Sequence, residues 1–344
     1  MKLLLFVLVI FSANLYASSE CNKLKSSSRL TALINQIEKY EDQTNIWPGQ
    51  NLSTFSYVLT DLEVTKNCAI ILHDNLKQEF VETSKPIEYV NKVFAYFMKY
   101  NQSKNIEIKN FLNQNNIDFA YAQNFTNIFG QVPDYIIRIL GLDNGNFYFN
   151  LLLHEGFHLF TQFGSSSNWV NWTESVNFNR DEVITKCYED KRVTSIFEKE
   201  FEAILSTFQS LEFYSDVQLA SEALSDYYVI SEKRYKVLSN IKIHDTLNDT
   251  YISCKQAEVI MEHREGLAEF FGNMAMFDSG LMNKYHLFAN LRDKRKGDSF
   301  YGIGMLKQLF LYRKLGNSYS QTVNDMLNRD NAQFDQDYYI KQNL

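Results

Sequence analysis

The segment LLLHEGFHLFTQF, residues 151–163, places two histidines and a carboxylate in an otherwise apolar and aromatic stretch. His154 and His158 are four positions apart, and Glu155 follows the first of them, which is the pattern H-E-x-x-H. Residues i and i+4 of a helix lie on one face about one turn apart, so both imidazoles can bind the same metal ion. Glu155 is rotated off that face and can accept a proton from a water molecule that the ion activates. The pattern therefore predicts a hydrolytic metal site.

Zinc is the predicted metal, because imidazole and carboxylate ligands suit a tetrahedral Zn²⁺ site. The chain has only six histidines. By chance, H-E-x-x-H arises in about one in a hundred such chains, or fewer. Two histidines that are simply packed in a core, without a metal, are the alternative.

A second acidic segment, residues 261–277, is the best source of a third ligand, which a zinc hydrolase needs. Its sequence, MEHREGLAEFFGNMAMF, predicts an amphipathic helix. Spacings of three and four put three acids on one face: Glu262, Glu265 and Glu269. Like charges at this spacing repel, so Glu265 and Glu269 would gain from a shared positive partner. Gly266 is expected to let this helix approach the histidine helix closely.

HEGFH followed by REGLAEF resembles the gluzincin metallopeptidases, the superfamily of thermolysin and aminopeptidase N. The resemblance implies that Glu265 is the third zinc ligand. It also implies that Glu269, four residues later, orients a zinc-bound histidine. In SFYGIGMLKQLFLYRKLG, Tyr301 stands three residues before Gly304 at a helix start. That position implies a hydrogen-bond donor to the oxyanion of the reaction. The other candidates for this donor are Tyr285, His286 and Tyr312.

The chain departs from the family pattern in three ways. Its two motifs are 107 residues apart, from His158 to Glu265, which is far longer than in either named family. The G-x-M-E-N signature that binds a free N-terminus is absent, and Ile303 replaces a basic residue. The resemblance is therefore to the superfamily and does not imply an aminopeptidase. His263 is a rival third ligand, since histidine has that role in other zincins.

These motifs predict a secreted zinc metallopeptidase that hydrolyses peptide or protein substrates, with Glu155 as the general base. Two alternatives stay open, a catalytically inactive zinc-binding or recognition domain of zincin fold and a metal-free structural core. The net charge of −7 disfavours nucleic acid and anionic membranes as partners.

Residues 1–17 combine one lysine, an apolar run and small residues near Ala17, which is the layout of a secretory signal peptide. No later stretch reaches the roughly 18 apolar residues of a membrane helix. We therefore expect an exported protein, periplasmic or extracellular, without a membrane span. All four cysteines lie beyond residue 17, and an even number predicts two disulfides. Of the three possible pairings we favour Cys21–Cys68 and Cys187–Cys254, because each bond then stays within one half of the chain.

The expected fold is α+β and mostly helical, a zincin-like metallopeptidase with two lobes. A mixed α/β lobe would span residues 18–165 and end in the histidine helix, and a helical lobe with the third ligand would span 166–344. In the first lobe, Leu30, Leu33, Ile34 and Ile37 form a helical stripe. Strand-like segments follow: Phe55–Thr60, Cys68–His73, Ile106–Ile108 and Ile117–Tyr121. Helices are predicted in the second lobe: Val193–Tyr214, Val217–Val237, Lys255–Met276 and Gly304–Leu315.

Overall fold

The computed structural model describes residues 20–41, 56–61, 63–87, 106–117, 120–124, 149–150, 153–154, 156–158, 176, 178–278, 280–294, 299–327 and 336–344. The fold is α+β and mostly helical, as predicted, and the described residues include a small mixed sheet and a short hairpin. The chain divides into two compact units. The first consists of Met1–Thr44 and Gly49–Leu152, and the second of Asn45–Pro48 and Leu153–Leu344. His154 and His158 therefore belong to the second unit, whereas the predicted boundary followed residue 165.

The first unit is built on a four-stranded sheet. Its described elements are α1 (Ser28–Glu41), β1 (Ser56–Thr60), β2 (Cys68–His73), β3 (Lys77–Glu82), α2 (Ile106–Gln114) and β4 (Ala120–Asn124). The strand order is β3-β2-β1-β4, and only the pair β1–β4 is parallel. Every residue of β2 is buried, so both faces of the sheet are covered at that strand.

Helix α2 covers one face of this sheet and begins where a strand was predicted. Ile108 and Leu112 are fully buried and join Val58 and Ile71 in one apolar cluster. The predicted strand at Ile106–Ile108 is wrong, because the i, i+4 pair Ile108 and Leu112 forms the buried stripe of a helix. The strand expected at residues 117–121 begins at Ala120 instead. Strand β3 was not predicted.

Both predicted disulfides are confirmed. Cys21 is bonded to Cys68 at the start of β2, and Cys187 is bonded to Cys254. Each bond lies within one of the two units. The described cysteines are thus all oxidised.

The second unit is a group of helices. Its described elements are α3 (Arg180–Val183, continued by the wider turn Ile184–Tyr188), α4 (Lys191–Phe208, continued by Gln209–Phe213), α5 (Val217–Leu238), β5 (Lys242–Asp245), β6 (Thr250–Ser253), α6 (Cys254–Asp278), α7 (Lys284–Asp293), α8 (Ser299–Leu315, followed by the 3₁₀ turn Gly316–Ser318), α9 (Tyr319–Leu327) and α10 (Gln336–Asn343). The four predicted helices are confirmed as α4, α5, α6 and α8. The β5–β6 hairpin was missed, because its strands are four residues long and Ile243 is their one buried apolar residue, so they carry little apolar pattern.

A fully buried arginine joins α4, α5 and α6. Arg234 donates to both carboxylate oxygens of Glu200 and to both of Glu258, and all three side chains are shielded from solvent. Two acids facing one guanidinium satisfy its donors in a fork geometry. Removing Arg234 would leave two buried carboxylates without their counter-charge.

A buried lysine joins α6, α8 and α10. Lys307 donates to Glu262 Oε2 at 2.6 Å and lies 2.8 Å from Asp337 Oδ1. Burial alone would lower the pKa of Lys307, but the two acids outweigh it and raise that pKa well above its ordinary value. Burial raises the pKa of Glu262 to about 8, because one lysine between two acids does not compensate for the loss of solvent. Lys307 is thus held between two acids from two other helices.

Helices α6 and α8 cross at two glycines. A Cβ atom on Gly266 would lie 2.4 Å from the Cα of Gly304, and one on Gly304 would lie 2.2 Å from the carbonyl oxygen of Glu262. Only glycine permits backbones to approach this closely. The close approach predicted for Gly266 is therefore made to Gly304 of α8, and the expectation that it faces the histidine helix is wrong.

Several predictions fall on residues outside the described part of the chain. They concern the signal peptide at 1–17 and the role of Glu155. Among the described residues, no helix has both the length and the apolar character that crossing a membrane requires.

Candidate metal centre

The histidine segment, residues 153–158 without Glu155, is helical and packs against α6. Leu153, His154 and Gly156 are helical, and Phe157 and His158 continue in a wider helical turn. The ring of Phe157 stacks on that of Phe271 of α6, with the centroids 4.4 Å apart and an angle of 24° between the planes. Both rings are fully buried, so this contact anchors the segment on α6.

Three ligand-type atoms converge beside this contact. His158 Nε2 lies 3.3 Å from His154 Nε2 and 3.2 Å from Glu265 Oε2, and His154 Nε2 lies 3.5 Å from the same Oε2. The three residues are buried, with between 4% and 7% of their surface exposed. Within the described part of the chain, these residues form the group that could hold a metal ion.

The size of this triangle fits one tetrahedral ion. With metal–ligand bonds of about 2.1 Å and tetrahedral angles, ligand atoms lie about 3.4 Å apart. The three observed distances, 3.2, 3.3 and 3.5 Å, scatter around that value. Two imidazole nitrogens and a carboxylate oxygen that are buried together are stabilised by a shared positive charge.

The second oxygen of Glu265 faces the guanidinium group of Arg264. Arg264 Nε lies 3.0 Å from Glu265 Oε1, so Oε2 is left for the histidines. Burial alone would raise the pKa of Glu265, but His158, His154 and Arg264 outweigh it and hold that pKa well below its ordinary range. Glu265 is thus ionised, as a metal ligand has to be.

Glu269 contacts the other nitrogen of His154. Its Oε2 lies 3.5 Å from His154 Nδ1, while Oε1 accepts hydrogen bonds from Asn273 Nδ2 at 2.7 Å and from Lys294 Nζ. Burial would raise the pKa of Glu269, but Lys294 and His154 more than offset it, so the pKa lies well below its ordinary range. An ionised Glu269 can accept the Nδ1 proton of His154, which leaves Nε2 as the ligand atom.

Tyr301 lies next to the same histidine. The ring centroid of Tyr301 is 5.8 Å from that of His154. Lys294 Nζ lies over the Tyr301 ring, 5.0 Å from its centroid. Two of the rival donors have contacts with other residues. The Tyr312 hydroxyl donates to Asp278 at 3.4 Å, and the exposed ring of Tyr285 packs on Phe213.

His263, the rival third ligand, does not belong to the group of converging atoms. It is buried on another face of α6, and burial lowers its pKa well below the ordinary value, so the ring is neutral. Two residues of the site escaped sequence reasoning. Arg264 directly precedes Glu265 and could have been noticed in HREGLAEF, whereas Lys294 carries no local signal.

Comparisons with protein-family models, with curated proteins and with solved structures find no match to this chain.

Proposed function

We propose that the protein is a zinc-dependent metallopeptidase. The observation that carries the proposal is the buried triangle of His154 Nε2, His158 Nε2 and Glu265 Oε2. The glutamate that follows His154 in the sequence adds a general base at the position where H-E-x-x-H peptidases have one.

Zinc is the ion that this donor set favours. Two imidazoles and one carboxylate are a ligand set of catalytic zinc sites, in which a fourth position stays open. An all-oxygen set would instead favour calcium or magnesium. When bound, zinc supplies a Lewis acid that polarises the scissile carbonyl and increases the acidity of water.

The residues of the chain have separate tasks in this proposal. His154, His158 and Glu265 bind the ion. Glu155 takes a proton from the attacking water and passes it to the leaving amine. Tyr301 donates a hydrogen bond to the oxyanion that forms on the substrate carbonyl.

We further propose a two-lobed zincin-like architecture and export from the cytoplasm. The α+β fold and the helix that carries Glu265 support the architecture. Two disulfides support an oxidising compartment, together with the signal peptide predicted at residues 1–17.

The test begins with metal content. After incubation with ZnCl₂ and desalting, the protein should hold one zinc per chain, and His158→Ala should hold none. Glu155→Gln should keep the zinc and lose most of its hydrolysis of an unstructured protein such as casein, because the change removes the base and not a ligand. Full zinc in His158→Ala would contradict the metal assignment. Stoichiometric zinc without peptide hydrolysis in the wild type would support the alternative, an inactive zinc-binding domain.

A further inference from the structure

Lys294 lies immediately after α7, at the edge of the metal centre. Its backbone N–H donates to Leu291 O at 3.2 Å, which holds the residue in the last turn of the helix. A Cβ atom on Gly302 would lie 3.8 Å from the Cβ of Lys294, so the start of this side chain packs beside α8. With 24% of the side chain exposed, its path to Glu269 is mostly shielded from solvent. The direction of Lys294 is therefore constrained by two helices.

The ammonium group of Lys294 determines which oxygen of Glu269 faces the histidine. Lys294 Nζ and Asn273 Nδ2 both donate to Oε1 of Glu269. The other oxygen, Oε2, lies 3.5 Å from His154 Nδ1. A carboxylate can turn about its last bond, and two donors on one oxygen oppose that rotation. Lys294 and Asn273 thus together leave Oε2 of Glu269 to face His154.

The same ammonium group also lies against Tyr301. The distance from Lys294 Nζ to the ring centroid is 5.0 Å, within the range of a cation–π contact. The Tyr301 ring is in turn 5.8 Å from the ring of His154. Each of four side chains therefore contacts the next, from His154 to Glu269, Lys294, Tyr301 and back to His154.

We propose that Lys294 is a positioning residue of the metal centre, which orients His154 through Glu269 and holds Tyr301 beside it. This inference rests on the proposed metal site. Groups that fix a ligating histidine typically change metal affinity by about 10–100-fold when they are removed. Without Lys294, Glu269 loses its counter-charge, and only Asn273 still opposes its rotation away from His154.

The test measures zinc affinity by competition with a chelator in purified protein. Lys294→Met should weaken zinc binding by about 10–100-fold, and Lys294→Arg should restore most of it, because a guanidinium can still donate to Glu269. The visible spectrum of the cobalt-substituted protein should change in Lys294→Met, since it reports the geometry of the ligands. Lys284→Met is the matched control. Lys284 is the first residue of α7, the helix that Lys294 follows, and it donates to Glu212 O at 3.2 Å, so the variant should bind zinc within two-fold, or about 0.4 kcal/mol, of wild type.

A double-mutant cycle separates positioning from stability. Because Lys294 acts through Glu269, the zinc affinities of Lys294→Met, Glu269→Gln and the double variant should be non-additive. The double variant removes both charges, so it leaves neither the lysine nor the glutamate as an unpaired buried charge. Wild-type zinc affinity in Lys294→Met, or additive losses in the cycle, would overturn this inference and leave the proposed function intact. A wild type without zinc affinity would overturn both.

Discussion

Replacement of Gly304 by alanine tests how closely the proposed metal centre depends on one helix crossing. The added carbon would lie 2.2 Å from Glu262 O, 2.7 Å from Gly266 Cα and 3.0 Å from Glu262 C. Favourable contacts between carbon atoms are about 3.5–4.0 Å long, so the overlap is up to about 1 Å. All three contacted atoms belong to the backbone of α6 and cannot rotate away. Helices α6 and α8 must therefore separate, and Glu265 moves with α6.

The expected cost follows from two opposing effects. Overpacking a closed interior typically costs about 1–3 kcal/mol, and contacts with backbone put this substitution at the upper end. Alanine is the better helix former by about 1 kcal/mol, which offsets part of the cost. A net loss of about 2 kcal/mol corresponds to a fall in Tm of about 4–8 °C for a unit of this size. Zinc affinity should fall as well, because Glu265 is the neighbour of Gly266 at the crossing.

Thermal unfolding followed by circular dichroism measures the first effect, and zinc competition measures the second. Gly302→Ala, on the same helix, is the control. Its Cβ atom would meet Leu291 Cδ2 at 3.7 Å, an ordinary contact, so only the gain in helix propensity should appear. That gain of up to about 1 kcal/mol should leave Tm unchanged or raise it by a few degrees. A Gly304→Ala variant that melts at or above the wild-type temperature would refute the reasoning.

Three further predictions concern charge, covalent bonds and turnover. The folded-state pKa of Glu262, about 8, lies above the ordinary value of 4.5, so its contribution to stability is complete below pH 4.5 and is lost as the pH rises through 8. Chemical denaturation should therefore show that the wild type loses stability relative to Glu262→Gln between these pH values, by a few kcal/mol; a constant difference would contradict this. Replacing Cys187 and Cys254 by alanine should cost about 2–4 kcal/mol of unfolding free energy, and an unchanged denaturation midpoint would argue against a stabilising bond. Tyr301→Phe should retain zinc and lower turnover of a peptide substrate by about 10²–10³-fold, whereas turnover per zinc within a few-fold of wild type would remove Tyr301 from the mechanism.

The local spacing of residues was sufficient to predict properties that belong to a single helix. The i, i+4 relation of His154 and His158 depends only on the helical turn, and it does not require knowledge of what that turn packs against. The same reason explains why the apolar periodicity of α5 and α6 predicted helices that the structure confirms. Local spacing was insufficient at Ile106–Ile108, because three residues are too few to distinguish a strand from a helix.

Glu265, the third residue of the triangle, could not be predicted from local spacing alone. Glu265 is 107 residues from His158, and no periodicity relates the two positions. It was predicted from the resemblance of REGLAEF to a family motif, and the structure brings its Oε2 to 3.2 Å from His158 Nε2. Without that resemblance, the acidic face of α6 would have offered Glu262 and Glu269 as equal candidates.

Tertiary packing decided which lysine pairs with which glutamate of α6. Glu262 pairs with Lys307, 45 residues away, and Glu269 with Lys294, 25 residues away, although both acids share a helical face with Glu265. The chain has 34 lysines and arginines, and local sequence does not state which of them lies opposite a given turn. That pairing depends on the rotation and the separation of α8 and α7 relative to α6. The contact of Gly266 with Gly304 determines the separation of α6 and α8, because two backbones can approach to this distance only where both lack a side chain.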